Sequence, residues 1–234
     1  MILIEGNKLK EKIIRDLKEK TKSLPRPIKI AIIQVGNNES STIYINQKKK
    51  LEQEINILIN HIKLQGETKE QEIIKKINAL NKDKEIDGIM VQLPLPKHLN
   101  QKIIVNAIDE NKDIDGLTDP NIIKLYNNNY TLAPCTPIGI LKLLELYKID
   151  IKEKNIVILG RSDIVGKPLS LLLTNSNATV TLCHSKTKDV KKITNKADIL
   201  ISYITPVPKG VGPATIAMFL ENSYKAYLLN NKKW

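Results

Sequence analysis

The chain has 234 residues, 41% of them hydrophobic, and a net charge of +12, a balance that suits one large or two small globular domains with an ordinary core. One Trp and one Phe leave the basic residues without the aromatic interleaving of a base-stacking nucleic-acid surface, so the lysines read as solvated faces that also favour polyanionic small ligands. Cys135 and Cys183 make no disulfide framework, His61, His98 and His184 have no metal-ligand spacing, and the apolar opening Met1–Ile4 is too short for a signal peptide or membrane span; the expectation is a cytoplasmic protein with no metal, nucleic-acid or membrane partner.

Leu9, Ile13, Ile14 and Leu17 recur at helical spacing and predict a helix over 9–20, broken by Pro25-Arg26-Pro27. Residues 28–35 read as a strand running into Gly36, and 40–54 as a charged helix. A second strand is expected within 55–64, a helix over 69–81, and a strand over 87–93 closed by Pro94 and Pro96. Pro134-Cys135-Thr136-Pro137 is a rigid break before a helix over 138–147. Next come an apolar strand over 155–159, a turn punctuated by Gly160 and Gly166, a helix carried by 169–173, and a strand over 179–183. A stiff loop, 205–213, then leads into a helix over 214–229 with Pro213 at its start. Alternating strand and helix argues for an α/β fold with mostly parallel sheets, and the main boundary is expected between 115 and 133.

The turn from Gly160 through Arg161, Ser162 and Gly166 has the layout of a phosphate-binding loop, in which N–H groups at a helix N-terminus face a pyrophosphate. It is not G-x-G-x-x-G, and two glycines alone fit an ordinary strand-to-helix turn equally well. The following strand ends in His184-Ser185-Lys186-Thr187. A NAD site usually carries Asp or Glu there; Ser185, Lys186 and Arg161 suit the extra phosphate of NADP instead. His184 reads as structural.

Ser41, Tyr44 and Lys48 share one predicted helix face. A tyrosine beside a lysine in a cleft can tune its protonation, although Lys48-Lys49-Lys50 also fits a solvated run. Val91-Gln92-Leu93-Pro94-Leu95-Pro96 lies at a strand's C-terminal end, where open α/β sheets place ligand contacts. Lys112-Asp113-Ile114-Asp115-Gly116 is a turn with two carboxylates, either ligand-binding or capping.

Taken together in chain order, these motifs, with Pro134–Pro137, Gly160-Arg161-Ser162, Lys167-Pro168, Cys183-His184-Ser185 and Thr205-Pro206-Val207-Pro208 through Thr215, resemble the bifunctional methylenetetrahydrofolate dehydrogenase/methenyltetrahydrofolate cyclohydrolase family. The resemblance implies an N-terminal α/β folate and catalytic domain over 1–120, completed by a C-terminal helix over 213–230, and a Rossmann-type NADP domain over 134–212. It implies catalysis by Lys48 with Tyr44 and Gln92. Folate contacts would come from Tyr44, Val91, Gln92, Leu93, Asp115, Pro208, Gly210, Gly212 and Pro213. NADP contacts would come from Thr136, Gly160, Arg161, Ser162, Ser185 and Thr215. A homodimer acting on folate, with a polyglutamate tail in some forms, is the expected assembly. The chain departs from the family after Ile201, where roughly 45 residues including one strand of the nucleotide sheet are missing, and Lys209 replaces a usual glycine.

Overall fold

The structure is a computed structural model that describes residues 4–202 and 210–231. It contains two parallel three-stranded sheets. In the first, β1 (Ile28–Val35) lies between β2 (Ile57–Leu64) and β3 (Gly88–Val91). In the second, β4 (Asn155–Leu159) lies between β5 (Thr179–Cys183) and β6 (Ile199–Ser202). Both central strands are mainly apolar, β1 interrupted by Lys29 and Gln34 and β4 apolar after Asn155, as expected where both faces of a parallel sheet are covered.

The two faces of β1 feed different cores. Ile28, Ile30 and Ile32 join a cluster that runs through Ile138 and Ile156 to Leu169 and Phe219. Ala31, Ile33 and Val35 pack instead with Ile73, Ile77 and Ile104, contributed by α3 (Glu70–Lys82) and α4 (Gln101–Asn106). The period of two along the strand produces this division. The first cluster includes residues of both sheets, so one apolar interior joins them.

The long helix α9 (Gly212–Asn231) packs against α1 (Gly6–Lys22), α6 (Cys135–Leu146), β1 and β3. The last helix of the described chain therefore completes the first sheet's layer. At its far end, buried Asp87 accepts from both terminal nitrogens of Arg26, at 2.7 and 2.8 Å, from the Lys29 amide, and from Asn231 Nδ2.

The strands over 28–35, 155–159 and 179–183 fall where the apolar runs place them. The helix expected over 40–54 is shorter: α2 (Glu39–Lys49) ends early, and residues 50–56 form turns. Asn56 adopts a left-handed φ of 49° there, which lets the chain reverse into β2. Three short helices, α4, α5 (Asp119–Tyr126) and α8 (Val190–Thr194), were not expected. Each offers at most two turns over which an apolar period can repeat.

Candidate active site

Ser41, Ile45 and Lys48 form the buried face of α2, with Asn38 capping its start by accepting from the Ser41 amide. Lys48 is only 3% exposed, unlike its neighbours Lys49 and Lys50. Its Nζ donates to Met90 Sδ at 3.1 Å and lies 4.4 Å from the centre of the Phe219 ring. Burial pulls this ammonium below the ordinary lysine value, while Asp115 and Cys135 oppose the pull.

The two carboxylates of the 113–116 turn divide their work. Asp113 caps the turn, accepting from the Gly116 and Thr118 amides at 2.9 and 2.8 Å and from Asn121 Nδ2 at 2.9 Å. Asp115 lines the cleft with Lys48. Burial pushes Asp115 above the usual carboxylate range, with Lys48 acting against that rise. Cys135 also faces the cleft, its thiol held well above the ordinary value first by burial and then by Asp115. Gly116 has φ +67°, and a Cβ there would overlap the Ala133 carbonyl group, so the turn can lie flat on the 133–134 backbone only as glycine.

The cleft encloses about 290 Å³ and also takes in Tyr44, Gln92, Leu93, Thr136 and Thr215. Gln92 Nε2 donates to the Leu93 carbonyl at 2.9 Å. Its Oε1 is buried with no hydrogen-bond partner among the described residues, which leaves an acceptor for a ligand. Tyr44, Thr136, Val165 and Thr215 also border a second hollow of about 180 Å³, walled by Ile158, Leu159, Ile201 and Ser202. One groove thus runs from Lys48 to the C-terminal ends of β4 and β6, where open α/β sheets hold their ligands.

Beyond that groove, the loop after β4 leads into α7 (Gly166–Asn175). The Ser162 hydroxyl accepts from the Val165 and Gly166 amides at 3.2 and 3.4 Å. A Cβ on Gly166 would overlap the Gly160 carbonyl, so the tight turn requires glycine. Arg161, Ser185 and Lys186 are exposed on the same loops, and Gly160 donates to the Cys183 carbonyl at 2.8 Å. His184 serves its own turn, its Nδ1 accepting from the Lys186 amide at 3.1 Å. No acidic side chain stands at the end of β5 between Cys183 and Thr187. This donor set fits a dinucleotide carrying an extra phosphate.

Tyr44, Lys48, Gln92, Leu93, Asp115, Thr136 and Thr215 therefore converge on one cleft. Val91 is buried in β3 and does not line it. Gly212 faces Tyr44, since a Cβ there would come within 2.9 Å of the hydroxyl. Gly210 and Pro213 border Gly6 of α1 instead, and neither lines the groove. Pro208 and Lys209 lie outside the described residues. Sequence reasoning did not single out Met90 and Phe219 beside Lys48. Both were within reach of periodicity: Met90 is two residues before Gln92 on one strand face, and Phe219 is four after Thr215 on one helix face.

The catalytic-domain model of the tetrahydrofolate dehydrogenase/cyclohydrolase family matches residues 4–115, and its NAD(P)-binding-domain model matches 134–204. The Bifunctional protein FolD of Clostridium novyi is 38% identical over 270 residues, covering 94% of this chain and 97% of that one. The FolD protein of Thermodesulfovibrio yellowstonii is 39% identical, covering 98% of each. The crystal structure of the bifunctional enzyme FolD from Campylobacter jejuni superposes with a TM-score of 0.93 at 35% identity, covering 97% of this chain and 98% of that chain. The alignment with the Clostridium protein is longer than the 234 residues available here, so this chain lacks residues that its relative carries inside the matched span. The matched domains, the relatives and the shared fold lead to one conclusion: the chain belongs to the tetrahydrofolate dehydrogenase/cyclohydrolase family.

Proposed function

We propose that this chain oxidises methylenetetrahydrofolate with NADP and hydrolyses the resulting methenyl cation to formyltetrahydrofolate, using one cleft for both steps. The observation that carries this reading is a buried lysine with a lowered pKa, beside a buried carboxylate and an unpartnered amide oxygen, in a groove that continues to the phosphate-type loop. Gly160, Arg161, Ser162 and Ser185 would hold NADP, with Thr136 and Thr215 at the junction. NADP when bound takes the hydride.

Substrate would be held by Asp115, whose oxygens suit the N–H groups of a pterin ring, and by Gln92, whose free oxygen accepts. A charged lysine beside the methenyl cation would repel it. Lys48 in its neutral form does not, and it can take the proton of the water that attacks the cationic carbon. The resulting ammonium can return that proton to the departing ring nitrogen. Tyr44 and Gln92 adjust the amine's protonation and position.

We take the catalytic domain as 1–120 completed by the C-terminal helix over 213–230 and the nucleotide domain as 134–212, in keeping with family models over 4–115 and 134–204 and with the packing of α9 on α1, β1 and β3. The same reading carries a cytoplasmic homodimer, in keeping with two free cysteines; among the described residues no helix is long and apolar enough to cross a membrane. A net charge of +12 suits folate bearing several glutamates.

Purified protein should form reduced NADP from methylenetetrahydrofolate and should separately accelerate hydrolysis of methenyltetrahydrofolate, and Lys48→Ala should lose the hydrolysis. Full hydrolysis by that variant would remove Lys48 from the mechanism.

A further inference from the structure

Asn222 sits on α9 with 2% exposure, one turn beyond Phe219, and none of its atoms lines the cleft. Its Nδ2 donates to the Ile114 carbonyl at 3.1 Å and the Ala133 carbonyl at 2.8 Å, and lies 3.6 Å from Cys135 Sγ. The Cys135 thiol donates in turn to the same Ile114 carbonyl at 3.4 Å. Ile114 immediately precedes Asp115, and Ala133 and Cys135 flank the break that opens α6.

One buried amide therefore joins three pieces of chain that meet beside the reacting groups: the turn bearing Asp115, the start of the helix bearing Cys135 and Thr136, and the helix bearing Phe219. The Asp113 cap holds that turn from within. Asn222 ties it to α9 and, together with the Cys135 thiol, to the start of α6. A buried side chain that donates to several backbone acceptors fixes their separation, because losing it removes the Ala133 carbonyl's side-chain donor and leaves the Ile114 carbonyl only the weak thiol donor.

We propose that Asn222 is a positioning residue that acts through Asp115, setting where the carboxylate stands relative to Lys48 and the folate. The proposal rests on Asp115 being used as described under the proposed function. Displacement of a reacting group by about 1 Å costs on the order of 100-fold in rate, so Asn222→Ala should lower methenyltetrahydrofolate hydrolysis by roughly 10- to 100-fold in kcat/KM. Asn222→Ser, which keeps one donor, should restore part of the loss.

The test is a double-mutant cycle on hydrolysis, run without NADP, comparing wild type, Asn222→Ala, Asp115→Asn and the double variant. Each is corrected for folded fraction by circular dichroism, and Asn222→Ser replaces Asn222→Ala if the latter does not fold. The expected result is strong coupling: once Asp115 is altered, changing Asn222 has little further effect. Multiplicative losses in the double variant, or a wild-type rate per folded molecule for the Asn222 variant, would overturn the proposal. Wild-type hydrolysis by Asp115→Asn alone would instead overturn the site reading beneath it.

Discussion

An ammonium that donates to a thioether and lies over a phenyl ring is surrounded by weakly polar groups. Such contacts stabilise a cation by about 2 kcal/mol or somewhat more when desolvated, far less than the water that Lys48 gives up. The amine therefore releases its proton more readily than an exposed lysine. In the folded state it binds fewer protons than in the unfolded state between its lowered value and 10.5, so its contribution to stability rises with pH across that window. Lys48→Met should remove the burial penalty and raise stability near neutral pH by about 1 kcal/mol while abolishing hydrolysis, which urea denaturation and a rate assay would check together. Asp115 holds the Lys48 proton on. Asp115→Asn should therefore move the rising alkaline limb of the residual hydrolysis profile to lower pH, and an unmoved limb would mean that the limb belongs to another group. Of this chemistry, the face was legible in advance, since Ser41, Tyr44 and Lys48 share helical spacing and all three line the cleft. The division between Asp113 and Asp115 was not, because either carboxylate can cap the same turn and only the register of that turn against 133–134 separates them.

Central strands were the most legible elements, because burial on both faces makes them mainly apolar, with Lys29 and Gln34 the only polar residues within β1. Short helices escaped for the reason noted above. The edge strand β6 differs from β4 beside it: Leu200 is 50% exposed, whereas Val157, its partner in register, is buried. The family residues expected to be missing after Ile201 would follow this strand directly. Its inner end, Ile201 and Ser202, forms the wall of the hollow that leads from the cleft towards the phosphate loop. Hydride transfer tolerates little misplacement, with losses on the order of 100-fold per ångström, whereas the residues assigned to hydrolysis all lie on other elements. Measured against a full-length relative under the same conditions, dehydrogenase activity should therefore be reduced more than hydrolysis. Equal ratios for the two proteins would show that the absent residues are dispensable for positioning.

Across the whole molecule, α9 fastens one sheet layer at both ends. Near one end, Gly212 and Thr215 meet the cleft. At the other, Asn230 donates to the Asp87 carbonyl and Asn231 to its carboxylate, while Arg26 pairs with Asp87 and lies over Tyr227 at 5.2 Å. Removing Arg26 would leave a buried carboxylate without its counter-ion, a loss of about 3 kcal/mol. Arg26→Ala should lower the urea midpoint accordingly, and a change below about 0.5 kcal/mol would place Arg26 among ordinary surface residues. The clasp was invisible to sequence reasoning because its partners are separated by as many as 205 positions, and no local period links them.

That separation also has a consequence in time. Synthesis delivers residues from the N-terminus onward, and domains commonly begin folding as they emerge, but here Lys48 is made long before Phe219 and Asn222. Contacts so distant in sequence form slowly. A growing chain that had reached residue 200 would contain the lysine, both carboxylates and the phosphate loop, yet lack the Phe219 ring over the amine and the Asn222 amide on the turn. Catalytic competence should thus arrive late, and a chain ending at residue 200 should lack hydrolysis altogether when assayed.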